Sequence, residues 1–299
     1  MLYNSQSTRA GRLEDFFGNL KAIEQACGLK AQRLILVDDR ATDESFQIAQ
    51  KNYCAPNHYT FSDFSQAKNQ LLERAEGSWV LLAEPDMQFN VSAVNELIKQ
   101  AQGLDEKCVE AGQIINHRSN KSSNNLYTLL VRPNVRFYGA VYEILKVFPH
   151  ERAIFQRMIG THYMADRNGR LQMAEPLVKQ ELKRLAQVTE GAEELYWAEQ
   201  QYFEIASMGF VPKPAADKKI EWYLKKAIEQ KPGFGPAYFE LALHYRNSGR
   251  LNDAMETAKM GIQKGYSLCQ EIINQLSGGG CDNYKPLILN NSFNPCQIP

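Results

Sequence analysis

Two short runs of consecutive apolar residues, Leu34–Val37 and Trp79–Ala83, each end in carboxylates: Asp38-Asp39 after the first and Glu84-Pro85-Asp86 after the second. Unbroken branched runs of this length predict strands buried on both faces, as inside a parallel sheet. Around them the period becomes helical. Leu13, Phe16, Phe17, Leu20 and Ile23 predict an amphipathic helix over residues 9–27, and a second helix runs through Ile48 and Ala49. A third follows Asp63-Phe64-Ser65, which reads as its cap, carries Ala67, Leu71, Leu72 and Ala75, and stops at Gly77; a fourth covers residues 91–102. Shorter strands are predicted at residues 58–61 and up to His162-Tyr163, and Met1-Leu2-Tyr3-Asn4 reads as the end of another. Gly112–Asn116 and Leu126–Val131 form a hairpin pattern across the polar loop Arg118–Asn125.

From about residue 170 the pattern is helical alone. Ile220, Ala227 and Ile228 recur as Ala254, Gly261 and Ile262 at an offset of 34 residues, the tetratricopeptide period. A helix at 193–208 pairs with one at 217–230, and 266–276 reads as a capping helix. The expected organisation is therefore an α/β domain over 1–170, tetratricopeptide-like helical repeats over 171–276, and an extended tail over 277–299.

Composition narrows the classes. The chain has 299 residues, 44% hydrophobic and 23% charged, with 34 basic and 34 acidic side chains. A neutral total argues against a nucleic-acid binder. The six cysteines are scattered without a CxxC pair, which points to reduced thiols rather than a zinc site or a disulfide framework. No apolar run has the length of a membrane span and no signal-peptide core stands at the N-terminus, so a cytoplasmic protein is expected.

In open α/β sheets ligands bind beyond the carboxyl ends of strands. Acids there suit a base, a ribose hydroxyl or a metal ion. Asp86, with or without Glu84, could hold a divalent cation against a diphosphate, Asp39 could accept from a nucleobase or ribose, and Lys68 could meet phosphate charge. No GxGxxG, P-loop or GxSxG pattern is present. Asp43 reads as a helix N-cap, and the aromatic stripe Tyr196, Trp197, Tyr202, Tyr223, Tyr238, Tyr245 as core.

Several segments carry a resemblance. Leu36-Val-Asp-Asp-Arg-Ala-Thr-Asp-Glu-Ser resembles the VDDGSTDGT signature of family 2 glycosyltransferases with the GT-A fold. Phe61-Ser-Asp-Phe-Ser-Gln-Ala-Lys-Asn is similar to their FSxARN segment, and Gly77-Ser-Trp-Val-Leu-Leu-Ala-Glu-Pro-Asp to GEWILxLDAD with its metal-binding DxD. Arg136-Phe-Tyr-Gly-Ala-Val-Tyr-Glu-Ile-Leu resembles the FxGxVHExL segment of a subgroup that often carries C-terminal tetratricopeptide-like helices, and Gly160-Thr-His-Tyr stands where that subgroup has a late histidine. The resemblance covers roughly residues 1–165. It implies a GT-A nucleotide-diphospho-sugar transferase domain followed by an all-α tetratricopeptide-like domain.

What it implies for chemistry is a metal-dependent, inverting glycosyltransferase with a nucleotide-sugar donor, UDP-linked by the family's habit. Donor contacts fall to Asp38, Asp39, Lys68, Asn69 and Glu84, a Mn²⁺ or Mg²⁺ ion to Asp86 and His162, and the general base to Glu143. The acceptor (glycan, peptide or another molecule) is open, and the repeats would bind a protein partner or a second copy. Three positions depart from the family pattern: Arg40 for glycine, Glu84 for the first aspartate of DxD, and Tyr142 for histidine. They motivate a second reading, a non-catalytic tetratricopeptide adaptor on a degenerate transferase scaffold.

Overall fold

A computed structural model describes residues 7–8, 11–52, 56–104, 107–118, 121–155, 158–162 and 167–277. The expected strand at Met1-Leu2-Tyr3-Asn4, the residue Tyr163, the tail beyond Ser277 and three of the cysteines (Cys54, Cys281, Cys296) lie outside them. Two compact units divide after Leu177, and the second also takes Phe148–His150.

The first unit begins with β1 (Ser7–Thr8) and β2 (Gly11–Arg12), an antiparallel pair, and α1 (Leu13–Cys27). There follow β3 (Leu36–Asp38), α2 (Ser45–Asn52), β4 (Asn57–Tyr59), α3 (Phe64–Glu73), β5 (Val80–Leu81), β6 (Met87–Phe89) and α4 (Val91–Ala101). The remaining strands are β7 (Cys108–Arg118), β8 (Lys121–Val131), β9 (Phe137–Tyr138), β10 (Ile144–Leu145), β11 (Arg152–Phe155) and β12 (Gly160–His162). The helical stripe read in α1 buries Leu13, Phe16, Phe17 and Ile23, and that of α4 buries Val94 and Leu97. These side chains share one core with Phe89 of β6 and Leu129 and Leu130 of β8. Truncating the fully buried Leu97 to alanine would cost about 3 kcal/mol through lost transfer energy and the cavity left behind.

The sheet differs from expectation. The two acid-tipped strands are not neighbours in one parallel sheet. β3 pairs in parallel with β4, whereas β5 runs antiparallel to β8, with Val80 opposite Val131 and Leu81 opposite Leu130. Cross-strand packing decides this: Val80 and Leu82 join a core with Val131, and the Arg132 guanidinium lies over the Trp79 ring at 3.6 Å. β5 sits at the edge of a six-stranded sheet in the order β5-β8-β7-β12-β6, with β11 also parallel to β7. The β7–β8 hairpin is longer than predicted. Its ladder continues through the supposed loop to Arg118 opposite Lys121, because backbone hydrogen bonding persists where apolar alternation stops. α3 ends at Glu73 rather than at Gly77; the Gln32 side chain takes over there, donating to the Arg74 carbonyl and accepting from the Glu76 N–H.

α3 is the central fixture. Its Ala67 and Leu71 pack on Leu36 and Tyr59 of the β3–β4 pair, and its Leu72 packs with Val131, Phe137 and Leu145.

The second unit is helical: α5 (Arg167–Ala186), in which the division falls, then α6 (Ala192–Ser207), α7 (Lys213–Gln230), α8 (Gly235–Asn247), α9 (Leu251–Gln263) and α10 (Cys269–Ser277). α6 packs on α7, α8 on α9, α7 on α8, and α10 on both α8 and α9. The aromatic stripe is largely interior: Tyr196, Trp197, Tyr223, Tyr238 and Tyr245 are buried. Phe148 lies with Tyr196, Trp197 and Phe234 in this core, its ring stacked on Trp197 at 4.9 Å. Among the described residues, no helix is long and apolar enough to cross a membrane.

Candidate functional site

Four separate segments of the first unit converge. After β5 the chain makes a turn in which the Met87 N–H donates to the Glu84 carbonyl, with Pro85 at the position where its fixed φ is favoured. Glu84 and Asp86 therefore project from one tight turn. β12 then runs antiparallel to β6 with His162 opposite Met87. This register brings His162 Nε2 to 3.1 Å from Asp86 Oδ1 and 3.5 Å from Glu84 Oε2. Gly160 is required for the approach, since any Cβ there would collide with the Gln88 carbonyl oxygen of β6.

Lys68 comes from α3. Its ammonium makes an ion pair with Glu143 and another, at 3.4 Å, with Glu84 Oε1, and it lies over the Phe137 ring at 5.1 Å. Glu143 is carried by the turn between β9 and β10, antiparallel strands that pair Tyr138 with Ile144. That turn is fastened to α3. Asn69 donates to the Phe137 carbonyl at 3.0 Å and accepts from the Phe137 N–H at 2.7 Å, while the Phe64 N–H donates to the Ala140 carbonyl. Gly139 at φ 96° and Tyr142 at φ 51° make the reversal. A tyrosine in the left-handed region costs on the order of 1 kcal/mol, strain of the kind found beside functional groups.

The charges reinforce one another. Burial works against the Lys68 cation, but Glu143 and then Glu84 more than offset it and raise its pKa. Packed surroundings likewise oppose the Glu84 anion, yet Lys68 and His162 hold its carboxyl at about 2. Glu84, Asp86 and His162 each present a ligand atom, all within 4.8 Å of one another. Two carboxylate oxygens and an imidazole nitrogen suit a divalent ion, and the nitrogen favours Mn²⁺ over Mg²⁺. The residues fit the ion.

Asp38 and Asp39 form a second group at the end of β3. The Asp38 side chain is 1% exposed and is held by Arg40: Nε at 2.9 Å, Nη2 at 2.7 Å, and the Arg40 backbone N–H at 2.9 Å. These bonds, the side-chain ones foremost, depress its pKa despite burial. The Arg40 guanidinium also lies over the Phe61 ring. Asp39 is exposed, and its carboxylate takes the Thr60 hydroxyl at 2.7 Å and faces His58 Nδ1 at 3.1 Å. His58 stacks on Phe46 with ring centres 4.4 Å apart. Asp43 accepts from the Ser45 N–H at the start of α2, as a cap does.

Sequence reasoning passed over Arg40 as a partner of Asp38, and it passed over His58 and Thr60. The signal was the parallel β3–β4 register, Val37 opposite His58 and Asp38 opposite Tyr59, which no local pattern discloses. Asn69, expected to touch the donor, directs its amide to the Phe137 backbone instead.

No protein-family model matches the chain, and no curated protein matches its sequence. Among solved structures, the chain is similar to S. aureus TarS 1-349 in complex with UDP-GlcNAc, with 10% identity and a TM-score of 0.45 over 91% of this chain and 89% of that one. It is also similar to S. aureus TarS (11%, TM-score 0.41, 90% of this chain and 53% of that one) and to TarS 1-349 alone (12%, TM-score 0.39, 92% and 89%). At these identities and TM-scores the likeness assigns neither family nor activity to this chain.

Proposed function

We propose that the first unit is a GT-A-type glycosyltransferase that moves a sugar from a nucleotide-sugar donor, UDP-linked, to an acceptor hydroxyl with inversion. The observation that carries this reading is the meeting of Glu84, Asp86, His162, Lys68 and Glu143 from four segments of the chain. The motif resemblance around each of these residues points the same way.

When bound, a divalent ion at Glu84, Asp86 and His162 supplies Lewis-acid neutralisation of the donor diphosphate. Asp39 accepts a hydrogen bond from the nucleobase or ribose. Arg40 holds Asp38 in place, and Asn69 holds the strand before Glu143. Glu143 takes the proton of the acceptor hydroxyl while that oxygen attacks the anomeric carbon. The bond from that carbon to the phosphate oxygen breaks, and the electron pair leaves with the diphosphate. Lys68, paired with Glu143, keeps its carboxylate oriented for the proton. The helices of the second unit serve as tetratricopeptide-like repeats for an acceptor, a protein partner or a second copy.

The experiment is Asp86→Ala in a nucleotide-sugar hydrolysis assay with Mn²⁺. Loss of metal-dependent hydrolysis is expected, and unchanged hydrolysis overturns the site. Glu143→Gln should retain donor binding and lose transfer. The adaptor reading draws on Arg40, whose guanidinium engages Asp38 where the family has a glycine. It requires that nucleotide diphosphates with Mn²⁺ leave the melting temperature unchanged, whereas a donor site raises it.

A further inference from the structure

Lys68 touches two carboxylates with different duties. Glu84 belongs to the cluster that fits a divalent cation, and Glu143 stands on the β9–β10 turn outside that cluster. A single ammonium thus bridges the cation cluster and the base. Lys68 is on a helix whose neighbouring Asn69 grips Phe137 by two hydrogen bonds, and the Phe64 N–H of the same helix donates to the Ala140 carbonyl of the turn. The Lys68 and Glu143 side chains are only 27% and 13% exposed, so water cannot readily screen the pair.

We propose that Lys68 is a positioning residue that couples cation binding at Glu84, Asp86 and His162 to the placement of Glu143. The inference rests on the transferase reading above. Lys68 and a divalent cation compete for the same Glu84 carboxylate. Glu143 moderates that competition, because its charge draws Lys68 away from Glu84. A cation entering the cluster releases Lys68 wholly to Glu143 and fixes the base over the site. The coupling is reciprocal, so a change at Glu143 must alter cation affinity although Glu143 contributes no atom to the cluster.

Mn²⁺ alone is the probe, its free concentration read by electron paramagnetic resonance on the full chain, with near-ultraviolet circular dichroism reporting the fold of each variant. Lys68→Met removes the competitor and should tighten Mn²⁺ binding about tenfold. Glu143→Gln returns Lys68 to Glu84 and should weaken binding about threefold to tenfold. In the Lys68→Met background the Glu143→Gln effect should shrink below about twofold, and Lys68→Arg should restore it. A Glu143→Gln effect of equal size in both backgrounds, or no effect in either, overturns the coupling while leaving the transferase reading intact. A wild-type chain that binds no Mn²⁺, or one whose binding survives Asp86→Ala, overturns both.

Discussion

His162 Nε2 lies 3.1 Å from Asp86 Oδ1, although 76 residues separate them in the chain. The contact follows from the antiparallel register of β12 on β6, which sets His162 opposite Met87, one residue past Asp86. His162 is buried while Glu84 and Asp86 are partly open to solvent, so the imidazole forms the floor of the cluster and the carboxylates its accessible side.

His162→Ala removes the nitrogen from the candidate cluster of Glu84, Asp86 and His162. Mn²⁺ affinity should fall by about tenfold or more, with a smaller loss for Mg²⁺, which depends less on nitrogen. Titration of each ion followed by calorimetry checks the difference; equal losses would remove His162 from the ligand set.

Arg40→Gly leaves the buried Asp38 carboxylate without its bidentate partner and should destabilise the first unit by about 1 to 2 kcal/mol at neutral pH, since the exposed guanidinium is partly screened by water. The pH dependence has a definite sign. Asp38 is held below its ordinary pKa in the folded chain, so its contribution is complete above that ordinary value and disappears as pH falls towards the folded pKa. Urea unfolding between pH 3 and 6 should therefore show the wild-type advantage over Arg40→Gly narrowing only at the acid end.

Asn69→Ala loses both bonds to Phe137 and strands a backbone N–H and carbonyl. The expected cost is about 2 kcal/mol, with faster hydrogen exchange at the Phe137 amide. Asn69→Asp keeps an acceptor for that N–H but no donor for the carbonyl, and should restore protection at the amide in part. Exchange measured residue by residue separates the two variants.

In the helical unit Glu199 is buried, and its pKa is raised well above the usual range, first by that burial and then by the charges of Glu240 and, more weakly, Glu204. The Gln200 amide, at 2.7 Å, works in the opposite direction without prevailing. A carboxyl that is harder to ionise when folded lowers stability as pH rises past its unfolded value. Glu199→Gln should therefore stabilise the chain by about 1 kcal/mol or more at pH 8 and change little at pH 4. Denaturant midpoints at the two pH values check this.

The sequence alone determined that helices run through α1, α3 and α4, though not where α3 stops, because helical spacing and caps are local. The stripe Leu13, Phe16, Phe17, Ile23 and the Asp63 cap over the Gln66 N–H are both legible from neighbours a few residues apart. It likewise located acids at the ends of two apolar runs. Tertiary structure alone decided the partners: β5 beside β8 rather than β3, a β7–β8 hairpin that outruns its apolar pattern, Arg40 closed on Asp38, and Lys68 set between Glu84 and Glu143. Strand register depends on side chains that meet across the sheet from distant segments, and an ion pair depends on which backbone delivers each charge. Neither has a period along the chain.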